Sequence, residues 1–264
     1  MAHYEKALDE MAPTAFSLTL YFQGEPLIHP EFFEMVRRAK SRKLYVMTSS
    51  NGHFFSSEKA RETVLSGLDQ IIISVDGATQ STYAAYRVGG SLDQVVEGIG
   101  WLARWKKKLR STSPRIIIQV LAFRQNETEL VELQQLGLAW GGDEVRIKSA
   151  QILDPRKTHH RIPQQKALSR YQKKEQGEYK IRYQLHNRCK RLWFSTVFTW
   201  DVKVLPCCFD KDAQQGMGDL AEESFSSIWS GRRYQQFRQS VLEDRKQHAM
   251  CRNCSEGCRV WLST

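Results

Sequence analysis

The first 150 residues predict an α/β fold built on a parallel sheet, and three observations carry that expectation. Short apolar runs rich in β-branched and aromatic residues alternate with longer amphipathic segments. The joins between them are short, and glycine, proline or a polar cap punctuates them. Regular β–α alternation of this kind gives parallel strands linked by right-handed crossovers, in a sheet either open or closed into a barrel.

Strands are expected at 16–22, 44–49, 70–75, 115–123 and 144–150, each apolar enough to be covered on both faces. Helices are expected at 31–42, 58–66, 92–109 and 128–138. In the third helix Leu92, Val95, Val96, Ile99 and Leu102 recur at helical spacing and should face the sheet. Pro30 stands at a helix start, Gly67 just past a helix end, and Asn126 ahead of the fourth helix as its cap. Residues 151–188 are polar and basic, and read as a linker wrapping the surface. A second unit, 189–264, should contain a hairpin from 194–200 and 202–205 that turns near Asp201. A helix over 225–238 follows from the spacing of Phe225, Ile228, Trp229 and Phe237, and Trp193, Trp200 and Trp229 are expected in the core there. So small a unit has little core of its own, which is a reason to need a metal staple.

The chain carries a net charge of +10 over 264 residues, with Lys106-Lys107-Lys108 at the end of a helix whose dipole suits cations. No compact recognition motif accompanies the charge, so nucleic acid is not an expected partner; an acidic small molecule or peptide is. No apolar run approaches the roughly 20 residues that span a membrane, and the N-terminus has no secretory h-region. The expectation is a reducing cytoplasm, where clustered cysteines serve as metal ligands rather than disulfides.

All six cysteines lie between Cys189 and Cys258, and the 188 residues before them contain none. Cys251-Arg-Asn-Cys254 brings two sulfurs within reach of one centre, and Cys189 and Cys207 can complete a four-thiolate shell. The set points to an iron–sulfur cluster, with structural zinc as the rival because four thiolates suit either.

Ligands bind at the carboxyl ends of strands in α/β sheets, so the strand ends come next. The first ends in Gly24-Glu25-Pro26, a turn whose outward carbonyls suit an ammonium group. The second ends in Ser49-Ser50-Asn51-Gly52, suited to a ribose or a carboxylate. The third ends in Ser74-Val75-Asp76-Gly77, which puts Ser74 and Asp76 on one face, followed by Arg87. Arg87 could grip a ligand carboxylate; alternatively Asp76 caps the next helix and Arg87 pairs with it.

Gly24-Glu25-Pro26, Asn51-Gly52, Ser74-Val75-Asp76-Gly77 and the C-terminal cysteines together resemble the radical S-adenosylmethionine (SAM) enzymes with a C-terminal SPASM or twitch domain. The resemblance implies a partial (β/α)6 TIM-like barrel over 1–150, here without its first strand, and a cluster domain over 189–264. By that resemblance Gly24, Glu25 and Pro26 hold the methionine amino group of SAM. Ser74 and Arg87, with Asp76 beside Ser74, face its carboxylate, and Asn51 lies near the cofactor. Cys189, Cys207, Cys251 and Cys254 match the ligands of an auxiliary 4Fe-4S cluster, with Cys208 and Cys258 outside the set. The implied activity is radical modification or oxidation of a peptide or small molecule, fed by a reductant such as flavodoxin or ferredoxin; the resemblance names no catalytic acid or base.

One departure matters. The family holds its reactive cluster with Cys-x-x-x-Cys-x-x-Cys after the first barrel strand, and this sequence has no such segment. The helix expected at 4–11 would be the one that follows that loop. The expectation is an N-terminally shortened chain that cannot cleave SAM as written. A non-catalytic iron–sulfur or zinc module that recognises a peptide is the alternative.

Overall fold

The computed structural model describes residues 1–264 apart from 153, 176, 257, 259, 263 and 264. The chain forms two compact units, one of Ser17–Arg182 with Arg259–Thr264, the other of Met1–Phe16 with Tyr183–Cys258. These divisions differ from the boundaries read at 150 and 188 at three places. The first 16 residues, including helix α1 (Ala2–Met11), go with the cysteine-rich unit, residues 151–182 go with the sheet, and so does the tail.

The sheet unit runs β1 (Ser17–Thr19), α2 (Phe32–Ser41), β2 (Tyr45–Ser50), α3 (Ser57–Leu65), β3 (Gln70–Ser74), α4 (Gln80–Ala84), α5 (Leu92–Lys108), β4 (Arg115–Ala122), α6 (Leu130–Ala139) and β5 (Glu144–Ser149). Strands β1 to β5 pair in sequence order, all parallel, in a curled half-barrel. The α/β class and the partial barrel thus hold. The sixth strand is antiparallel and comes from the tail: Trp261 pairs with Lys148 and Leu262 with Ile147.

Ile116, Ile117 and Ile118 are consecutive and all buried, as a strand covered on both faces requires. On α5, Leu92, Val95, Ile99 and Leu102 are buried as their spacing predicts, with Val96 half-buried. β1 is shorter than expected because Phe16 is exposed and the chain beyond Thr19 bends toward Gly24, whose φ of 79° is a left-handed turn. The expected cap Asn126 does not cap α6, which begins after Glu129.

The basic stretch is no free linker. It forms a short helix, α7 (Pro155–Thr158), and a small hairpin, β6 (Tyr171–Lys173) with β7 (Tyr179–Ile181). Ile152, Ile162 and Tyr171 are buried in one cluster with Phe123 and Ala150, and Tyr86 packs against it. These few apolar residues sit too far apart to show a period, which is why composition alone read the segment as solvated.

In the other unit α8 (Arg191–Phe194) precedes a three-stranded sheet of β8 (Val197–Phe198), β9 (Lys203–Leu205) and β10 (Gly218–Asp219). The helix expected over 225–238 is two, α9 (Phe225–Ser230) and α10 (Arg232–Asp244), and α11 (Ala249–Arg252) follows. Gly231 makes the break, ending one helix and capping the next; a Cβ there would lie 2.7 Å from the Ser227 carbonyl. Val204, Leu220, Ile228, Tyr234 and Phe237 form the core, and Ala7 of α1 joins it. The Phe225 N–H donates to Glu10 at 3.0 Å, tying α1 to α9. Trp229 packs on Tyr234 with ring centroids 4.9 Å apart, but Trp193 and Trp200 are exposed, against expectation.

Candidate functional site

Cys189, Cys207, Cys251 and Cys254 line one cavity, walled by Leu192, Phe209, Phe237, Val241 and Met250 and by Arg191, Arg245 and Glu256. Four separate elements deliver the sulfurs. Cys189 accepts the Leu192 N–H at the start of α8, Cys207 follows β9, Cys251 lies in α11, and Cys254 closes the next turn back onto the Cys251 carbonyl at 3.3 Å. All six cysteines are free thiols. The cavity is small, about 20 Å³, and it is open at one side. Among the described residues no three cysteine, histidine or acidic side chains close around a single point.

Burial pushes the Cys251 thiol up to about 11 and Cys254 upward as well, with the Arg245 charge pulling both down. Each of these two is also raised by the charge of Cys189. Cysteine binds a metal as the thiolate, so any centre held here would displace these protons. Cys208 does not line the cavity. Its sulfur takes a hydrogen bond from Cys207 and one from Arg191 at 3.4 Å, which lower it to about 6 against the effect of burial. Cys207 is raised in turn, since it supplies the proton. Of the two, only Cys207 lines the cavity with Cys189, Cys251 and Cys254. His248 meets Ser240 at 2.7 Å, and no histidine is among the residues lining the cavity.

At the strand ends of the sheet unit, Glu25 is pinned rather than free. Its carboxylate accepts the Ser50 hydroxyl at 2.8 Å, the Asn51 N–H at 2.7 Å and the Leu27 N–H at 3.2 Å. The first strand-end turn is thereby locked onto the second. A Cβ built on Gly24 would meet nothing within 4 Å, so this backbone is open, and Pro26 starts a 3-10 turn behind it. Asn51 accepts the His53 N–H at 2.9 Å, while Ser74 is buried.

Arg87 follows the second of its two readings. Its Nε and Nη2 both sit 2.7 Å from one oxygen of Asp76, whose other oxygen accepts the Leu121 N–H at 2.7 Å. Asp76 is fully buried, and burial drives its carboxyl upward against the pull of Arg87. Asp76 does not cap α4; Thr79 does, in a capping box with Thr82. Gly77 is there for space: a Cβ would stand 2.2 Å from the Tyr83 nitrogen, inside the backbone of α4.

Sequence reasoning missed Arg245, which no spacing rule singles out within a polar run, and the role of Asn126. The signal available for Asn126 was a polar residue a few positions past an apolar strand, which fits a helix cap equally well.

A parallel half-barrel with polar strand ends, together with a unit presenting four thiols to one cavity, defines an iron–sulfur class of α/β protein. Comparison with known proteins gives the family. The chain belongs to the radical SAM superfamily, which it matches over residues 3–134, and residues 189–255 match SPASM, an iron–sulfur cluster-binding domain. It is 25% identical over 280 residues to the tungsten-containing aldehyde ferredoxin oxidoreductase cofactor-modifying protein of Pyrococcus furiosus, covering 95% of this chain and 77% of that one. It is 30% identical over 118 residues to the mycofactocin maturase of Mycobacterium tuberculosis, covering 45% of this chain and 29% of that one. Among solved structures, Streptococcus suis SuiB bound to its precursor peptide SuiA superposes with a TM-score of 0.62 at 11% identity, over 97% of this chain and 64% of that one. Native anSMEcpe with bound AdoMet superposes at 0.61 and 12% identity, over 98% and 81%. These structural similarities speak for the fold.

Proposed function

We propose that Cys189, Cys207, Cys251 and Cys254 hold an auxiliary four-iron cluster, and that the strand ends of the sheet unit hold S-adenosylmethionine for radical modification or oxidation of a peptide or small molecule. The observation that carries the cluster is the convergence of these four thiols on one cavity. Four thiolates suit either metal, and the match of residues 189–255 to an iron–sulfur cluster-binding domain favours the cluster over a single zinc ion.

When bound, the cluster supplies one-electron chemistry; the chain's own part is binding and orientation. The open Gly24 backbone, with Pro26 behind it, suits the amino group of the cofactor. Glu25 keeps Asn51 in place to reach it, and the Ser74 hydroxyl, with no partner among the described residues, suits its carboxylate. Asp76 and Arg87 act as a fixed pair that holds this strand end rather than as direct ligands. A peptide or small-molecule substrate is consistent with the names of the relatives, a cofactor-modifying protein and a maturase. A small electron carrier such as flavodoxin or ferredoxin is the reductant this chemistry needs. No described helix is long and apolar enough to cross a membrane.

Anaerobic reconstitution with iron and sulfide tests the reading. The expected product is brown, with broad visible absorption and about four irons per chain. Cys189→Ser, Cys207→Ser, Cys251→Ser and Cys254→Ser should each lower iron content, whereas Cys208→Ser and Cys258→Ser should retain it. A colourless protein that takes up one zinc would overturn the cluster assignment.

A further inference from the structure

Arg245 lies in the 3-10 turn (Arg245–Gln247) after α10 and is 2% exposed. Its Nη1 donates to the His186 carbonyl at 3.1 Å and its Nη2 to the Cys254 carbonyl at 3.4 Å. Its Nε–H is buried with no partner among the described residues, and no carboxylate there pairs with it. A guanidinium does not shed its proton, so an unpaired one in the interior needs a negative charge nearby. Arg245 lines the thiol-bearing cavity with Cys251 and Cys254; Glu256 lines it too, and its carboxylate pairs with Arg191. Arg191, the other guanidinium there, is spoken for: Glu256 lies 3.2 Å from it and the Cys208 sulfur 3.4 Å.

We propose that Arg245 is the buried counter-charge of the centre held by the four thiolates, and that it sets how readily that centre accepts an electron. This rests on reading the four cysteines as cluster ligands. A four-iron cluster with four thiolates is negative in both of its usual states and gains one further negative charge when one electron enters. A fixed cation beside it stabilises the reduced form more than the oxidised one and raises the potential. The spare Nε–H is available to a sulfur, a hydrogen bond that shifts the balance the same way. His186 and Cys254 meanwhile hold the guanidinium in place through their carbonyls.

The test is a potentiometric titration of the anaerobically reconstituted full chain with dithionite, followed by visible bleaching and by the EPR signal of the reduced cluster. Iron content is measured on the same samples. Arg245→Gln should make reduction about tenfold less favourable or more, which is about 59 mV lower per tenfold for one electron. Arg245→Lys keeps the charge and should stay closer to wild type. If Arg245→Gln loses its iron while Arg245→Lys keeps it, the charge requirement is equally supported. Equal potentials in all three proteins, or equal loss of iron in both variants, overturns the role. Wild-type protein that binds no iron fails earlier, at the cysteine assignment, and takes this role with it.

Discussion

The side-chain amide of Asn126 reaches fifty residues back to donate to the Asp76 carbonyl at 2.9 Å, and the same Nδ2 donates to the Leu121 carbonyl at 2.9 Å. Its Oδ1 accepts the Phe123 N–H at 2.8 Å, so one fully buried side chain satisfies three backbone groups where β3 and β4 end. Without it those groups are left unpaired in the interior. Asn126→Ala should lose about 3 kcal/mol of stability, read as a lowered urea midpoint. Asn126→Asp should do no better, because it turns an acceptor toward two carbonyls.

Arg87 compensates a carboxylate that has no water around it. Arg87→Met should cost about 3–5 kcal/mol, since it strands a buried charge. Asp76→Asn combined with Arg87→Met should recover much of that. A double-mutant cycle by chemical denaturation measures the coupling, and additive losses would show that the two side chains are independent.

The ring of His248 packs 4.5 Å from Phe237, and burial lowers its pKa from 6.5. The unfolded chain therefore takes up this proton before the folded one does. Stability from this group is full above pH 6.5 and falls as the pH drops through and below that value. Thermal unfolding of the metal-free chain should show a midpoint that declines on acidification from pH 7 to pH 5. The decline should be shallower in His248→Gln, and an identical slope in the two proteins would remove His248 as its source.

A polypeptide of this sequence has no cysteine in its first 188 residues, hence no Cys-x-x-x-Cys-x-x-Cys to deliver an electron to the cofactor. Incubated with SAM and dithionite after reconstitution, it should bind the cofactor and release no 5′-deoxyadenosine. Chromatographic detection of that product above a no-protein control would contradict the expectation.

The central parallel strands were legible because Ile71-Ile72-Ile73 and Ile116-Ile117-Ile118 are apolar runs that have one physical home, between two covered faces. That Cys189, Cys207, Cys251 and Cys254 come to one cavity was legible because thiols clustered in one stretch of chain serve few other purposes. What escaped reading depends on contacts between distant residues. Nothing local in Tyr171 or Ile162 says that they pack on Phe123, nothing in Ala7 that it joins the core around Ile228, and nothing in Arg245 that it ends beside sulfur. Arg87 shows both sides: its chemistry was readable, and its choice of Asp76 over a free role required the fold.

Because the tail strand returns to β5 and the opening helix packs beside α9, neither unit is one unbroken length of chain. A piece cut out at residue 189 would keep every thiol yet forfeit Ala7 from its interior, and a piece ending at 150 would leave β5 without its outer neighbour. Anyone grafting the cluster-bearing half onto another scaffold must therefore transplant two segments, the first sixteen residues among them, or expect an insoluble product.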